Sequence, residues 1–389
     1  MDHFRPRSSS LSTQLSVSSQ KVGVIQKAVV PVCRQTILRT MQTTMDAITR
    51  QKRWMSALLL VLIFRFLVPV SAATTPQASQ EDIHYRTSIS NMAFSPDGKL
   101  LASTSGWIVA IWSVAQGDMV REIRRDPKDA SVVGLPFSDS GKFLYGGCSD
   151  GNLVEWQVGD GKQMQTLVVK PDPSAPIYAF LVRAVAFSHD KTQFANGSHT
   201  GEVNVWEVKS GKHISRLVGS RGEIKSLAFN LSDSLLAVGD SDDVIRIWDL
   251  KVAGEPRILR RDPGKDLPGW IYAVAFFPNG NTLASGGFHA GVILWDLLKG
   301  KQSSIIGESY DWVQSIDISP NGAYLLTGSK NSNDRDPKTH MPRSSRISLW
   351  NAKSGVAVKE YSGSIALFSP DGRQAAVSNN QNVTFQTLK

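Results

Sequence analysis

The chain has 389 residues, of which 41 % are hydrophobic and 20 % are charged, a composition typical of a folded globular protein. Its net charge of +9 is concentrated at one end. Residues 1–80 contain ten Lys or Arg and two Asp, so residues 81–389 carry a net charge of only +1. This distribution removes charge as an argument for nucleic-acid binding. With only Cys33 and Cys148, the chain also lacks the cysteines for a disulfide framework or a cysteine-rich metal site.

The first part of the chain has the composition of a leader followed by a targeting segment. Residues 1–53 are rich in Ser, Thr, Gln and Arg and show no sustained hydrophobic period, which predicts a disordered leader or a start-site error. Residues 54–73 come directly after basic residues and contain an apolar run that ends in small residues, which is the pattern of a secretory signal peptide. We therefore expect export, periplasmic or extracellular, with translation starting at Met45 or Met55. An uncleaved membrane anchor and an organelle transit peptide stay open, and residues 74–80 are a predicted polar linker.

From residue 81 onward the chain repeats one unit seven times. The best-formed unit predicts three short strands at Tyr272–Phe276, Asn281–Gly286 and Gly291–Asp296, with alternating polarity on the outer two. Such a meander leaves two open edges and cannot bury its own faces, so it needs copies of itself. Each unit has an apolar anchor on its first strand: Phe94, Phe137, Phe187, Phe229, Phe276, Ile318 and Phe368. An aromatic residue closes each unit, and these predicted structural anchors are Trp112, Trp156, Trp206, Trp248, Trp295 and Trp350, with Phe385 in the seventh.

The sequence Ser-Pro-Asp-Gly or a close variant follows several anchors. These residues predict a turn, because Pro presets φ while Asp and Gly tolerate left-handed φ. Together with Ser-Pro-Asp-Gly-Lys at 95–99, the sequences Ile-Trp-Asp-Leu at 247–250 and Leu-Trp-Asp-Leu at 294–297 resemble the WD40 (β-transducin) repeat family. The resemblance covers residues 81–389. It implies an all-β fold, a seven-bladed β-propeller of four-stranded blades around a central channel. We expect the last blade to take its outer strand from Glu81–Thr87, which would close the ring.

The match to the family is diverged. The Asp expected six residues before the closing Trp is present only as Asp150 and Asp242. The family's Gly-His dipeptide before each first strand is missing from all units. We therefore expect the buried hydrogen-bond network usual in these blades to be largely lacking, with packing alone holding several of them.

A search for catalytic motifs finds little. The chain has no P-loop, HExxH, CxxC or EF-hand loop. Ser149 lies in a formal G-x-S-x-G match, but that motif needs a strand-to-helix turn and this position predicts a strand-to-strand hairpin. The sequence thus predicts no catalytic residue, no metal site and no cofactor. The alternative is an exported enzyme or ligand-binding protein that uses the channel, to which Asp240, Asp242 and His289 could contribute.

The remaining candidate site is a surface. The resemblance implies that the loops between the second and third strands share one face with those joining successive blades, and that partners bind there. These loops combine Arg and Asp-Pro with aromatic residues, which are enriched in interface hot spots. The predicted partner-binding residues are Trp107, Arg124, Arg125, Tyr178, Arg260, Arg261, Trp270, Trp312 and Arg335.

The function expected from this surface is that of a non-enzymatic scaffold for a protein or peptide partner. Nucleic acid is not expected, and a membrane is expected only through residues 54–73 if they stay uncleaved. The competing interpretation is that Asp-Pro only breaks the loops and that Arg is a solvated flank. If the loops bind a partner, removing Arg124, Arg125, Arg260 and Arg261 together should abolish capture with little change in thermal stability.

Overall fold

The fold is taken from a computed structural model, and its described residues all lie in the compact unit Ala78–Lys389. The described ranges are 88–167, 181–252, 254–261, 269–288, 291–307, 312–330, 345–379 and 382–388. The predicted leader, targeting segment, linker and closing strand Glu81–Thr87 lie outside them. Within these ranges the chain forms β-strands and no α-helix, and thus no helix that could cross a membrane.

The strands form seven separate antiparallel sheets in chain order, which confirms the predicted seven-bladed propeller. Blade 1 contains β1 (Asn91–Phe94), β2 (Leu100–Ser105), β3 (Ile108–Ser113) and β4 (Met119–Arg124). Blade 2 contains β5 (Val132–Gly134), β6 (Phe143–Cys148), β7 (Leu153–Gln157) and β8 (Gln163–Leu167). Blade 3 contains β9 (Val182–Phe187), β10 (Gln193–Ser198), β11 (Val203–Glu207) and β12 (His213–Leu217). Blade 4 contains β13 (Ile224–Phe229), β14 (Leu235–Asp240), β15 (Val244–Asp249) and β16 (Arg257–Arg260).

The other three blades continue the order. Blade 5 contains β17 (Ile271–Phe276), β18 (Thr282–Gly287), β19 (Val292–Asp296) and β20 (Lys301–Ile306), within a residue of the strands predicted there. Blade 6 contains β21 (Trp312–Ile318), β22 (Tyr324–Lys330), β23 (Ser345–Asn351) and β24 (Ala357–Ser362). Blade 7 contains β25 (Ile365–Phe368), β26 (Gln374–Asn379) and β27 (Asn382–Thr387), three strands among the described residues.

The turn after each first strand forms as the sequence predicts. In blade 1 the Ser95 hydroxyl donates to Asp97 Oδ1 at 2.7 Å and accepts the Leu100 amide at 2.9 Å. Gly98 completes the turn with a φ of +68°, where a side chain would be strained. The Pro370 ring from blade 7 lies so close that a Cβ on Gly98 would be 3.6 Å from Pro370 Cδ. Blades 7 and 1 therefore pack directly against each other.

The core lies between neighbouring blades, and the six closing Trp residues lie at equivalent positions on the third strand of blades 1 to 6. Part of the buried hydrogen-bond network that we expected to be largely lacking is present in four blades, as a bond from the Trp indole. The indole of Trp295, for example, donates to Ser285 Oγ at 2.8 Å. Equivalent bonds join Trp112 to Ser103, Trp206 to Asn196 and Trp350 to Thr327 at 2.9–3.1 Å. In each case the acceptor lies on the second strand of the blade, next to the strand that carries the Trp. The pattern expected from the sequence was an Asp six residues before the Trp, which does not include this position.

Blade 7 differs from the prediction at its closing residue. Gln386, not Phe385, lies opposite Ala375, as Trp112 lies opposite Leu101 in blade 1. Phe385 points to the other side of the sheet and packs on Phe94, with ring centroids 6.3 Å apart. Gln386 is also as far from the anchor Phe368 as Trp112 is from Phe94, so alignment on the last aromatic residue shifted this unit by one position.

Candidate interaction surface

The inner strands surround a central channel of about 720 Å³. Its wall is made of apolar, small and polar residues from all seven blades. The charged side chains among the described lining residues are Arg183, Lys225 and Lys330, and none is acidic. All three lie at the end of the channel where the loops between blades emerge, because Arg183 and Lys225 begin inner strands and Lys330 ends a second strand. We call this end the channel mouth.

In each of blades 2 to 6, a β-bulge near the start of the first strand directs one side chain toward the channel mouth. In blade 4, for example, Ile224 pairs with Asp240 and Ser226 with Gly239, so Lys225 has no partner in the ladder. A bulge of this kind re-aims a side chain. The bulged residues of blades 2 to 6, all of which line the channel, are Val133, Arg183, Lys225, Tyr272 and Gln314.

Sequence reasoning missed these residues, although the repeat contains a signal for them. Each bulged residue stands four positions before the anchor of its blade. The same offset in blades 1 and 7 gives Ser90 and Ser364, which also line the channel. The offset therefore identifies one mouth residue per blade, and its identity changes from blade to blade.

A charge cluster surrounds Glu223 at the mouth. Lys225 Nζ lies 2.7 Å from Glu223 Oε2, and Arg183 Nε lies 3.2 Å from Oε1. The His199 ring is 3.4 Å from Oε2, and Ser241 Oγ holds the Glu223 backbone amide at 2.9 Å. Burial opposes ionisation, but the hydrogen bond and charge of Lys225 and the charge of Arg183 hold the pKa of Glu223 below its usual value. Glu223 is thus a fixed carboxylate between cations.

Aromatic side chains continue the cluster into blades 5 and 6. Lys225 Nζ lies 4.7 Å from the ring centre of Trp270 and 5.9 Å from that of Tyr272, within cation–π range. The two rings meet edge to face at 5.8 Å. Trp312 packs on Phe288 at 4.5 Å, and the Phe288 amide donates to the Trp270 carbonyl oxygen. The structure thus links Trp270 and Trp312, two of the predicted partner-binding residues, into one aromatic band.

The predicted arginines of blade 1 have different environments. Arg125 is only 10 % exposed at its side chain. Its guanidinium donates to the Ala130 carbonyl oxygen and lies 3.2 Å from Cys148 Sγ. Arg125 therefore holds the loop that leads from blade 1 to blade 2. Arg124, at the end of β4, is exposed and pairs with Glu122. Beside them Trp107 is 36 % exposed, and its indole donates to the Asp129 carbonyl oxygen at 2.7 Å.

Blade 4 repeats this division. Arg261 is 11 % exposed at its side chain and donates to Asp243 Oδ1 at 2.7 Å, which ties the residue after β16 to the turn between β14 and β15. Arg260, at the end of β16, is exposed. The expectation that all four arginines can be removed with little change in stability therefore needs correction, because the side chains of Arg125 and Arg261 are largely buried and bonded to neighbouring groups. The two pairs also lie on blades 1 and 4, with two blades between them, and Tyr178 and Arg335 lie outside the described residues.

Of the residues named for a channel enzyme, the structure describes Asp240 and Asp242, and neither is among the residues that line the channel. Asp240 is buried and pairs with Arg246 inside blade 4, and its carboxylate accepts the Asp242 amide at 3.0 Å. His289 lies outside the described residues. Over the described ranges, no group of three or more His, Cys, Asp or Glu could hold a metal ion. Ser149 lies in a strand-to-strand hairpin, as the sequence predicts.

Comparison with known proteins adds the family and several relatives. The family model described as "WD domain, G-beta repeat" matches residues 80–113, 211–249, 261–296 and 300–335. The WD repeat and SOCS box-containing protein 1 of Mus musculus is 27 % identical over 224 residues, 54 % of this chain and 49 % of the relative. The periodic tryptophan protein 2 homolog of Schizosaccharomyces pombe is 32 % identical over 29 % of this chain and 12 % of the relative.

A third relative, the apoptotic protease-activating factor 1 of Homo sapiens, is 22 % identical over 64 % of this chain and 19 % of the relative. The chain thus spans half or less of the length of these curated relatives. The fold agrees with these matches, because the chain forms a seven-bladed propeller with one repeat in each blade. With four repeats matched directly and the others present in the fold, the chain belongs to the WD40 repeat family.

Proposed function

We propose that this protein is a non-enzymatic scaffold that binds a protein partner at the channel mouth and the loops around it. The observation that carries the proposal is the bulge register. A rigid ring presents one variable side chain per blade at the mouth, and the exposed Trp107 and Trp270 stand on the same face. Rigid scaffolds that display variable loops and aromatic residues are suited to recognition. The similarity of this chain to WD repeat proteins supports the proposal.

The experiment is site-specific photo-crosslinking in the native host. A photoreactive phenylalanine derivative at Trp270 of the full chain should give a covalent adduct with the partner on irradiation. The same group at Lys99, in the turn at the opposite end of blade 1, is the matched control and should give none. Adducts from Lys99 with none from Trp270 would contradict the proposed face.

We also propose that the protein is exported, with residues 54–73 removed as a signal peptide. The basic start, apolar run and small residues of that segment support it. Mass spectrometry of the exported protein should find a mature N-terminus close to Thr74. A peptide that spans Val70–Thr75 in the exported protein would show that the segment is retained, and the membrane-anchored alternative would then apply.

The enzymatic alternative has a direct test. Metal analysis of the purified full chain should find no stoichiometric metal if the channel serves only binding. A stoichiometric metal that is lost on replacing Asp242 would favour the channel enzyme instead. Because Asp240 already pairs with Arg246, a variant at that position would confound folding with metal binding.

A further inference from the structure

The mouth has an uneven distribution of charge. Arg183, Lys225 and Lys330 come from blades 3, 4 and 6, and the described residues that line the channel include no carboxylate. Glu223 stands beside this lining and contacts two of the cations. One carboxylate between two cations, with a third cation on the same wall, leaves a net positive charge. Charge of one sign in a concave site attracts the opposite charge.

One of these cations, Lys225, is held in position rather than free in solvent. The side chain of Lys225 is 15 % exposed, and it is fixed between the Glu223 carboxylate and the Trp270 ring. Glu223 is itself fixed by Ser241 through its backbone amide. A donor that is already oriented loses less side-chain entropy when it binds an anion. Glu223 therefore orients Lys225 but also competes with any incoming carboxylate for it.

The aromatic groups indicate more than a small anion. Trp270 is 47 % exposed and stands next to Tyr272 on the side of the mouth that follows Lys225. Apolar surface of this kind contacts carbon atoms, which a free inorganic anion lacks. A channel of about 720 Å³ is also far larger than one carboxylate needs. The hydroxyls of Ser90 and Ser364 line its other side, where Ser90 already donates to the Thr104 carbonyl oxygen and Ser364 is hydrogen-bonded to Ser378.

We infer that the channel mouth binds an acidic peptide segment of the protein partner. Its carboxylates are held by Arg183, Lys225 and Lys330, and its apolar atoms lie against Trp270 and Tyr272. The inference rests on the proposed function and gives the chemistry of the partner. It also assigns Glu223 a defined role, as the internal carboxylate that the peptide must outcompete.

The test is fluorescence anisotropy of labelled hexaglutamate titrated with the full chain at low and physiological salt. Lys225→Gln and Arg183→Gln should each weaken binding about tenfold, as expected for loss of one close charge pair. Glu223→Gln should strengthen binding, because it removes the competing carboxylate. Lys99→Gln makes the same charge change at the opposite end of blade 1 and should leave the affinity unchanged. Labelled hexaglutamine should not bind.

Several outcomes would overturn the inference. One is unchanged affinity in Arg183→Gln, whose side chain is 52 % exposed and whose replacement should not impair folding. A second is weaker binding in Glu223→Gln with an unchanged thermal melting curve. A third is competition by citrate as effective as that by unlabelled hexaglutamate, which would assign the mouth to small anions.

The two proposals fail separately. If the photo-crosslink at Trp270 captures a partner but the hexaglutamate titration is insensitive to the mouth variants, the scaffold stands and the acidic-peptide inference fails. If no partner is captured while hexaglutamate binds with the expected pattern of variants, the mouth chemistry stands and the scaffold role fails.

Discussion

The blade interiors and the channel mouth of this propeller differ in how they use the repeat. Inside the blades the same residue type returns at the same position, as with Trp295 and Trp112, and each is bonded to a hydroxyl on the neighbouring strand. At the mouth the position is constant but the residue is not. The seven mouth residues are Ser90, Val133, Arg183, Lys225, Tyr272, Gln314 and Ser364. Repetition thus specifies the fold, and its absence marks where partner recognition is expected.

The largest effect should come from an interior anchor. Trp295 is 1 % exposed and packs in the core between blades 4 and 5. Trp295→Ala should lower the free energy of unfolding by about 3–5 kcal/mol, because it leaves a cavity and an unpaired Ser285. Urea denaturation measures this loss. Trp270→Ala, an exposed mouth residue of the same type, is the control and should lose about 1 kcal/mol or less. Equal losses would erase the distinction between the two regions.

One interior position departs from the repeat and should respond to pH. Asp317 stands where Ala228 and Ala275 stand in blades 4 and 5, and its carboxylate accepts the Phe368 amide of blade 7 at 2.6 Å. Burial raises the pKa of Asp317 to about 6, against 3.8 ordinarily, despite the hydrogen bonds it accepts. The folded state therefore keeps this proton to a higher pH than the unfolded state does. The stability that this proton contributes is fully present below about pH 4 and is lost as pH rises through about 6.

Asp317→Asn should remove this loss while keeping an acceptor for Phe368. Near pH 7 it should raise the free energy of unfolding by about 1–3 kcal/mol, and near pH 4 the two proteins should be nearly equal. Denaturation curves between these pH values measure the difference. A variant that is less stable than the parent at pH 7 would contradict the assignment.

The two arginines at the start of the loop to blade 2 should also differ in how much stability is lost when each is replaced. Arg125→Ala should cost about 1–3 kcal/mol, because the Ala130 carbonyl loses its buried donor. Arg124→Ala, at the exposed end of β4, should change stability by about 0.5 kcal/mol or less. Thermal melting of the pair is a matched comparison at adjacent positions. Similar losses in the two variants would show that Arg125 does not hold the loop.

The sequence was sufficient for the architecture because its signals are local and repeated. The anchors, the turns and the Trp positions lie within one unit, and strand bounds in blade 5 follow from them. Phe385 was misassigned because blade 7 has Gln at the Trp position, and only the register against Ala375 shows it. The side chains that accept the Trp hydrogen bonds were missed because they depend on pairing between strands.

The candidate site was harder to predict because it is formed by different blades. Arg and Trp in the loops were recognisable as interface residues, but the sequence did not distinguish the loop-holding Arg125 from the exposed Arg124. The contact of Lys225 with Glu223 and Trp270 joins blades 4 and 5, and no pattern within one unit predicts it. The offset of four residues before the anchor becomes meaningful only when the bulge is known.

A small effect on stability should accompany the largest effect on function, at the mouth. The double variant Lys225→Gln with Trp270→Ala changes two residues whose side chains meet at the surface. Capture of the partner by the full chain from its native host, measured against the parent and against Lys99→Gln, tests the central claim directly. We predict that the double variant loses the partner, while Lys99→Gln retains it and all three proteins melt at closely similar temperatures. Full capture by a folded double variant would contradict the account.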